Sequence, residues 1–297
     1  MSISKAEKAW PKISIITISF NQGQFIENTI QSVISQNYPN LEYIIIDGGS
    51  IDNSVEIIKK YDRYLSYWIS EPDKGMYHAV QKGFEKSTGE IMAWINSDDI
   101  YFPGALFIVA EIFSQFEEVN WIMGNPVSID ELGRFVRVYE LRKWSKYNFY
   151  LYDYKYLQQE SIFWRRIVWE NSGSSLNLNF RYAGDFELWL RFFRYEQLYT
   201  TSSLLGAFRW KNRDQISLEK MALYIKEVEF AIENEEITIE DRKVLKGYIR
   251  IKKVVKLLGC LKIMKVNWLL NNYINNHFSL SKEINFVRER HRFEIFN

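Results

Sequence analysis

Short apolar runs alternate with helical spacing in this chain, and each run closes on a polar turn; no other feature limits its possible folds as strongly. Ile13–Ile18 reads as a buried strand, followed by Ile26, Ile30, Val33 and Ile34 at helical spacing. Tyr43–Ile46 is a second β-rich run, with Val55, Ile58 and Leu65 on one helical face behind it. Tyr67–Ile69 forms a short third strand, and Met76, Ala79, Val80, Gly83 and Phe84 repeat the helical pattern. Ile91–Ile95 is a fourth buried strand. Pro103 stands where a first-turn proline starts a helix through Phe113, and Trp121–Met123 is a fifth strand. This alternation predicts an α/β fold with a mainly parallel sheet flanked by helices.

Beyond Asn125 the rhythm changes. Ile129–Tyr139 reads as a hairpin around Glu131-Leu132-Gly133, Ser161–Trp164 as a strand, Phe186–Phe193 as a helix and Leu204–Trp210 as another strand. From Ser217 onward the pattern is almost wholly helical. With 47% hydrophobic and 16% aromatic residues in 297, the chain can bury a sizeable core, which excludes disordered, collagen-like and disulfide-scaffold classes. The single Cys260 has no partner for an intramolecular disulfide and suits a reducing compartment. The first ten residues lack an apolar stretch, and no run approaches the ~18 residues that span a bilayer. The sequence therefore reads as a soluble cytoplasmic protein. Its net charge of +1 hides an asymmetry: residues 241–297 carry +9 and the remainder −8.

In an open parallel sheet, ligands bind beyond the carboxyl ends of the strands. Four segments fall there: Ser19-Phe20-Asn21-Gln22-Gly23, Asp47-Gly48-Gly49-Ser50-Ile51-Asp52, Ser70-Glu71-Pro72-Asp73-Lys74-Gly75 and Asn96-Ser97-Asp98-Asp99. Adjacent carboxylates after a buried strand are hard oxygen ligands suited to Mg²⁺ or Mn²⁺; the same pair also suits capping of the next helix. Asp47 can accept hydrogen bonds from a base or ribose, and Asp52 can bind ligand or cap its helix. Gly48 and Gly49 allow close backbone approach. The first turn lacks GxGxxG and no GxxxxGK[ST] loop occurs, which removes support for hydride transfer and P-loop hydrolysis. Asp185 would open the helix to Phe193, where the helix dipole favours a carboxylate; the plain alternative is an N-cap.

Taken in order, these segments resemble the inverting family-2 glycosyltransferases of the GT-A fold, over roughly residues 12 to 217. The strand Ile13–Asn21 precedes Gln31-Ser32-Val33. Asp47–Asp52 matches the family's DGGSTD segment with Ile51 for threonine, and Glu71–Tyr77 matches its EPDKGIY segment. Asn96–Asp99 matches its form of the metal-binding DxD motif. The resemblance implies that Asp47, Ser19, Asn21 and Ser50 line a nucleotide-sugar pocket flanked by Asp73 and Lys74. Asp98 would face the ribose or metal, and Asp99 would hold Mn²⁺ or Mg²⁺ against the donor diphosphate. Ala183–Trp189 looks like the family's ED motif, making Asp185 the catalytic base. Gln159 and Glu160, in the Gln158–Ser161 segment, would shape the sugar and acceptor site, as would Arg209 and Lys211.

Some positions depart from the family pattern. Gly184 replaces the usual glutamate before the base, and Phe208-Arg209-Trp210-Lys211 lacks the histidine that often completes the metal site. A lysine there can neutralise phosphate directly. His78 reads as a helix-surface residue. Tyr147, Phe149, Tyr150, Tyr152, Tyr154 and Tyr156 can line an acceptor groove or cover the core.

The resemblance implies a GT-A catalytic domain over 1–217, with a nucleotide-binding half of about 12–125 and an acceptor half of about 126–217. A helical region over 218–297 would follow. The expected reaction is inverting transfer from a nucleotide-diphosphate sugar, UDP-linked by preference, to a glycan or lipid-linked hydroxyl in cell-surface polysaccharide synthesis. A metal-dependent nucleotidyltransferase and a non-catalytic nucleotide-sugar-binding protein are the alternatives. Lys246, Arg250 and Lys253 at helical spacing, with Lys252 and Lys256, suit an anionic membrane surface through residues 242–270. That would place the protein at the inner face of the plasma membrane. The opposite face, Leu245, Tyr248, Ile251, Val255 and Leu258, suits packing on the catalytic domain. Nothing else in the chain points to nucleic acid.

Overall fold

A computed structural model describes residues 10–153, 157–211, 220–259 and 266–297. The first half alternates as the apolar runs require: β1 (Ile13–Ser19), α1 (Ile26–Ile34), β2 (Leu41–Asp47), α2 (Ser54–Lys60), β3 (Tyr67–Ser70), α3 (Met76–Lys86) and β4 (Ile91–Asn96). Then come β5 (Ile100–Tyr101), α4 (Ala105–Gln115), β6 (Trp121–Met123), β7 (Val127–Ile129), β8 (Phe135–Val138) and α5 (Lys146–Tyr150). These lead into β9 (Ile162–Arg165), α6 (Arg166–Asn171), α7 (Gly184–Tyr195), β10 (Tyr199–Thr200) and β11 (Gly206–Arg209). The chain closes with α8 (Met221–Glu233), α9 (Ile239–Gly259), α10 (Val266–His277), β12 (Lys282–Val287) and β13 (Arg292–Phe296).

Among the described residues nine strands form one sheet in the order β13-β12-β10-β6-β9-β4-β1-β2-β3. β1, β2, β3 and β4 run parallel, whereas β9 lies antiparallel between β4 and β6. β1 is buried along its whole length, flanked by β2 and β4 in the sheet and packed against α3. A second sheet, β5-β11-β7-β8, stands beside it. Between β4, β6, β9 and α7 the core is aromatic: Trp94 stacks on Trp189 at 5.5 Å and Trp121 on Trp189 at 5.8 Å. These rings bury large apolar areas and lock α7 to the sheet.

Two expectations change, and one open alternative is decided. Pro103 lies ahead of α4 rather than in its first turn, because Gly104 takes the left-handed backbone (φ 83°) that precedes the helix. Of the two roles open to the tyrosine-rich segment, Tyr147, Phe149 and Tyr150 take the core: all three are buried, and Phe149 packs on Phe186 of α7 at 4.4 Å. Residues 282–296 form a β-hairpin in place of an α-helix, with a single 3-10 turn at Arg288–Arg290 between its strands. β12 pairs in parallel with β10 and carries β13 back along itself, so the end of the chain extends the main sheet. Ile284 and Phe293 supply its buried side, alternating with polar neighbours as a strand requires. The boundary expected at Ser217, together with Cys260, Tyr154 and Tyr156, lies outside the described residues. Among the described residues no helix is long and apolar enough to cross a membrane.

Candidate active site

Parallel register places the strand ends in one row: Ser19 beside Asp47, Asp47 beside Ser70, and Ile18 beside Asn96. The turns that follow are sewn together. Asn21, at φ 51°, accepts from the Ile51 amide (2.9 Å) while its own amide donates to Ser50 Oγ (2.8 Å). Asp47 is fully buried and accepts four hydrogen bonds: from the Gly49 and Ser50 amides and from the Ser50 and Ser70 hydroxyls. Its carboxylate thus organises the turn on which Ser50 sits. A Cβ at Gly48 would come within 2.6 Å of the Asp73 carboxylate, so the glycine lets that side chain lie close to the turn. Asp73 accepts from the Gly75 amide (2.7 Å), Lys74 is exposed, and half-buried His78 accepts from the Lys74 amide through Nδ1 at 3.3 Å.

The acidic turn after β4 divides into an inner and an outer carboxylate. Asp99 is 1% exposed and accepts from the Arg209 amide at 2.8 Å. Burial, then the charges of Asp98 and Glu160, push its carboxyl well above the usual range. Asp98 is the outer member, its side chain 20% exposed, and its Oδ2 pairs with Lys211 Nζ at 2.6 Å. The Arg209 guanidinium is buried and donates to the carbonyls of Asp98, Asp130 and Glu131, which fastens the acidic turn to the β7–β8 hairpin. Buried Glu160 stands behind Asp98, with its carboxyl also raised by desolvation. Gly206 lets the Glu160 backbone approach, since a Cβ would lie 2.2 Å from its carbonyl oxygen. Gln159 donates to the Trp94 carbonyl at the end of β4. Ser19 Oγ, Asn96 Oδ1, Gln159 Oε1 and Glu160 Oε1 are buried here without a protein partner. Buried polar atoms are rarely left so, and four near one sheet edge mark a place where a polar ligand or water belongs.

Asp185 lies in the first turn of α7, half-buried. Tyr77, from the turn that opens α3, holds its hydroxyl 3.1 Å from both Asp185 Oδ1 and the Tyr182 carbonyl. Asp185 Oδ1 also accepts from the Phe186 amide at 2.8 Å. Desolvation is the largest influence on the carboxyl and outweighs these bonds, raising it from 3.8 to about 6. Gly184 has a steric reason: a Cβ there would come within 2.7 Å of the Tyr77 ring. The site therefore holds a carboxyl raised to about 6 at the start of α7 and, on the turn after β4, an outer carboxylate paired with an ammonium.

The Glycosyl transferase family 2 model matches residues 14–168, about half of the chain. This chain belongs to that family. The uncharacterized glycosyltransferase Rv1514c of Mycobacterium tuberculosis is 39% identical over 90 residues, 30% of this chain and 34% of that protein. Poly-beta-1,6-N-acetyl-D-glucosamine synthase of Staphylococcus epidermidis is 28% identical over 116 residues, 38% of this chain and 28% of the synthase. The match thus spans about a third of the length of these curated relatives. S. aureus TarS residues 1–349 in complex with UDP-GlcNAc shares the fold, with TM-score 0.61 and 15% identity over 76% of this chain and 68% of TarS.

Within this family-2 chain, the structure brings Ser19, Asn21, Asp47, Ser50, Asp73, Asp98, Asp99, Gln159 and Glu160 to one region, with Arg209 and Lys211 bound to the acidic turn. No three His, Cys, Asp or Glu side chains form a ready metal cage among the described residues. Mg²⁺ and Mn²⁺ commonly use one or two carboxylates plus substrate phosphates. A partly exposed Asp98 oxygen fits that requirement, whereas Asp99, turned inward onto Arg209, supports the turn from behind. Sequence reasoning assigned no role to Tyr77, although it lies in the Glu71–Tyr77 segment, nor to Glu227 on α8. Glu227 has no signal in its neighbourhood.

Proposed function

We propose that the protein is an inverting glycosyltransferase that moves a sugar from a UDP-sugar to a hydroxyl of a glycan or lipid-linked acceptor in surface polysaccharide synthesis. Asp185 carries this reading. A half-buried carboxylate with its proton affinity near pH 6 suits a base that takes a proton only as the new bond forms. The acceptor oxygen attacks the anomeric carbon and its proton passes to Asp185. The anomeric C–O bond to the diphosphate breaks, and its electron pair leaves on the diphosphate oxygen. One displacement from the opposite face inverts the centre.

Ser19, Asn21, Ser50, Asp73 and Lys74 bind and orient the nucleotide; Asp47 holds Ser50 in place. Asp98 would hold a divalent cation, with Asp99 behind it, and that ion supplies charge neutralisation at the leaving diphosphate. The Lys211 ammonium, already at Asp98, adds a cation to the same place. The UDP preference draws on family membership and on the UDP-GlcNAc bound to TarS, and the polysaccharide acceptor on the synthase relative. A nucleoside-diphosphate release assay over a panel of nucleotide sugars, with and without Mn²⁺, tests the reading. UDP release from one UDP-sugar is expected; pyrophosphate release from nucleoside triphosphates alone would make the protein a nucleotidyltransferase instead.

The catalytic domain would run to about residue 217, with 218–297 as a docked C-terminal region. The outer face of α9 favours membrane contact: Lys246, Arg250 and Lys253 are exposed beside Ile249 (46%), Val254 (48%) and Leu257 (68%). Val244, Leu245 and Tyr248 pack on the core from the other face, so the two roles coexist. Replacing Lys246, Arg250 and Lys253 by glutamate should abolish flotation with phosphatidylglycerol vesicles; undiminished flotation would remove the membrane from the account.

A further inference from the structure

Glu227 projects from α8 onto the three residues that precede α7. Its Oε2 accepts from the amides of Arg181 (3.1 Å), Tyr182 (2.8 Å) and Ala183 (2.8 Å), and its Oε1 from Arg181 (3.0 Å). The Ala183 amide, at the N-cap of α7, has no partner within the helix, and here a carboxylate 44 residues away satisfies it together with the two amides before it. The Tyr182 peptide is held from both sides. Its N–H is bound by Glu227, and its carbonyl by the Tyr77 hydroxyl that also reaches Asp185. α8 is itself firmly seated: Val228, Ala231 and Ile232 are buried, and Glu235 just beyond its end pairs with Arg194 of α7 at 2.5 Å.

We infer that Glu227 is a positioning residue: it clamps Arg181–Ala183 so that Tyr77 and Asp185 meet in the orientation the base requires. The inference rests on Asp185 being the base. It gives the segment after residue 217 a part in the reaction, outside the stretch that the family model covers. The groups facing Asp185 are Tyr77 from α3, the Phe186 amide of α7, Glu160 ahead of β9 and Glu227 itself. Glu227 does not touch the reacting atoms; it acts through the 181–183 backbone.

Glu227→Gln tests this in the full chain, because an amide offers one acceptor oxygen and sets an NH₂ against backbone N–H groups. Hydrogen–deuterium exchange of the 180–187 peptide should accelerate about tenfold or more, while the body of α7 stays protected. UDP-sugar turnover should fall about tenfold or more with donor KM within about twofold, since the donor pocket is untouched. Glu227→Asp, which keeps the charge, should recover part of both. Glu235→Gln, at the far end of α8, should lower the melting temperature without either effect. Unchanged exchange at 180–187, or a Glu235→Gln loss of turnover equal to that of Glu227→Gln, would overturn the inference. A wild-type protein that turns over no nucleotide sugar would sink the proposed function, while the exchange measurement would still decide whether the clamp exists.

Discussion

Replacing Asp185 with asparagine separates chemistry from folding, because the two should move in opposite directions. The folded protein raises this carboxyl from 3.8 to about 6, chiefly by desolvation. At ~1.36 kcal/mol per pH unit, that is about 3 kcal/mol against the charged form, an upper bound for a half-buried group. The sign follows from proton linkage. Between pH 4 and 6 the folded state binds a proton that the unfolded state has released, so stability falls as pH rises through that window. Above pH 7 the wild type bears the whole cost and Asp185→Asn does not. The variant should therefore melt no lower than wild type at pH 7.5, and its advantage should vanish at pH 4.5, where Asp185 is largely protonated. Turnover should fall about 10²- to 10⁴-fold, the usual contribution of a general base. In the wild type, kcat/KM should rise through an apparent pKa near 6, with about a tenth of full activity at pH 5 and about nine tenths at pH 7. Nucleotide-release kinetics over pH 4.5 to 8, paired with thermal melts, measure both. Activity that stays flat from pH 8 down to 5, or an Asp185→Asn variant within tenfold of wild type, would refute the reasoning.

Gly184→Ala should cost about 1 to 3 kcal/mol and reduce turnover, because the new Cβ meets the Tyr77 ring; normal melting and normal rate together would contradict the packing argument. Asp47→Asn sets an amide against four hydrogen-bond donors and should lower stability by about 2 to 3 kcal/mol while weakening nucleotide affinity, read by denaturant melts and calorimetry. Lys211→Met should weaken UDP binding about tenfold in EDTA, the worth of one charge-assisted contact, and less with Mn²⁺ present; equal affinity in EDTA would remove Lys211 from the diphosphate site.

The strands that build the site were legible because they are covered on both faces. β1, β2 and β4 read as mainly apolar runs, with Ser14 and Thr17 in β1 and Glu42 in β2 as polar interruptions, and their ends fall within two residues of the expected ones. The turns after them were legible as chemistry, since acids and glycines recur where a parallel sheet opens. Long-range assignments were not. Nothing near Glu227 announces that it will bond to amides more than forty residues earlier. The division of labour within the acidic pair was equally hidden: which carboxylate turns inward depends on Arg209, more than a hundred residues downstream. The closing hairpin escaped because Phe286 on β12 is half exposed and charges flank both strands, which blurs the alternation. Gly184, a departure from the family pattern in sequence, makes sense only once Tyr77 is seen against it.

A crystal of the Asp185→Asn protein soaked with a UDP-sugar and Mn²⁺ bears most directly on the whole account. Density for the nucleotide across the ends of β1, β2 and β4, with its diphosphate at Asp98 and the sugar turned toward residue 185, is the predicted result. A nucleotide bound elsewhere, with Asp98 still closed on Lys211, would contradict it.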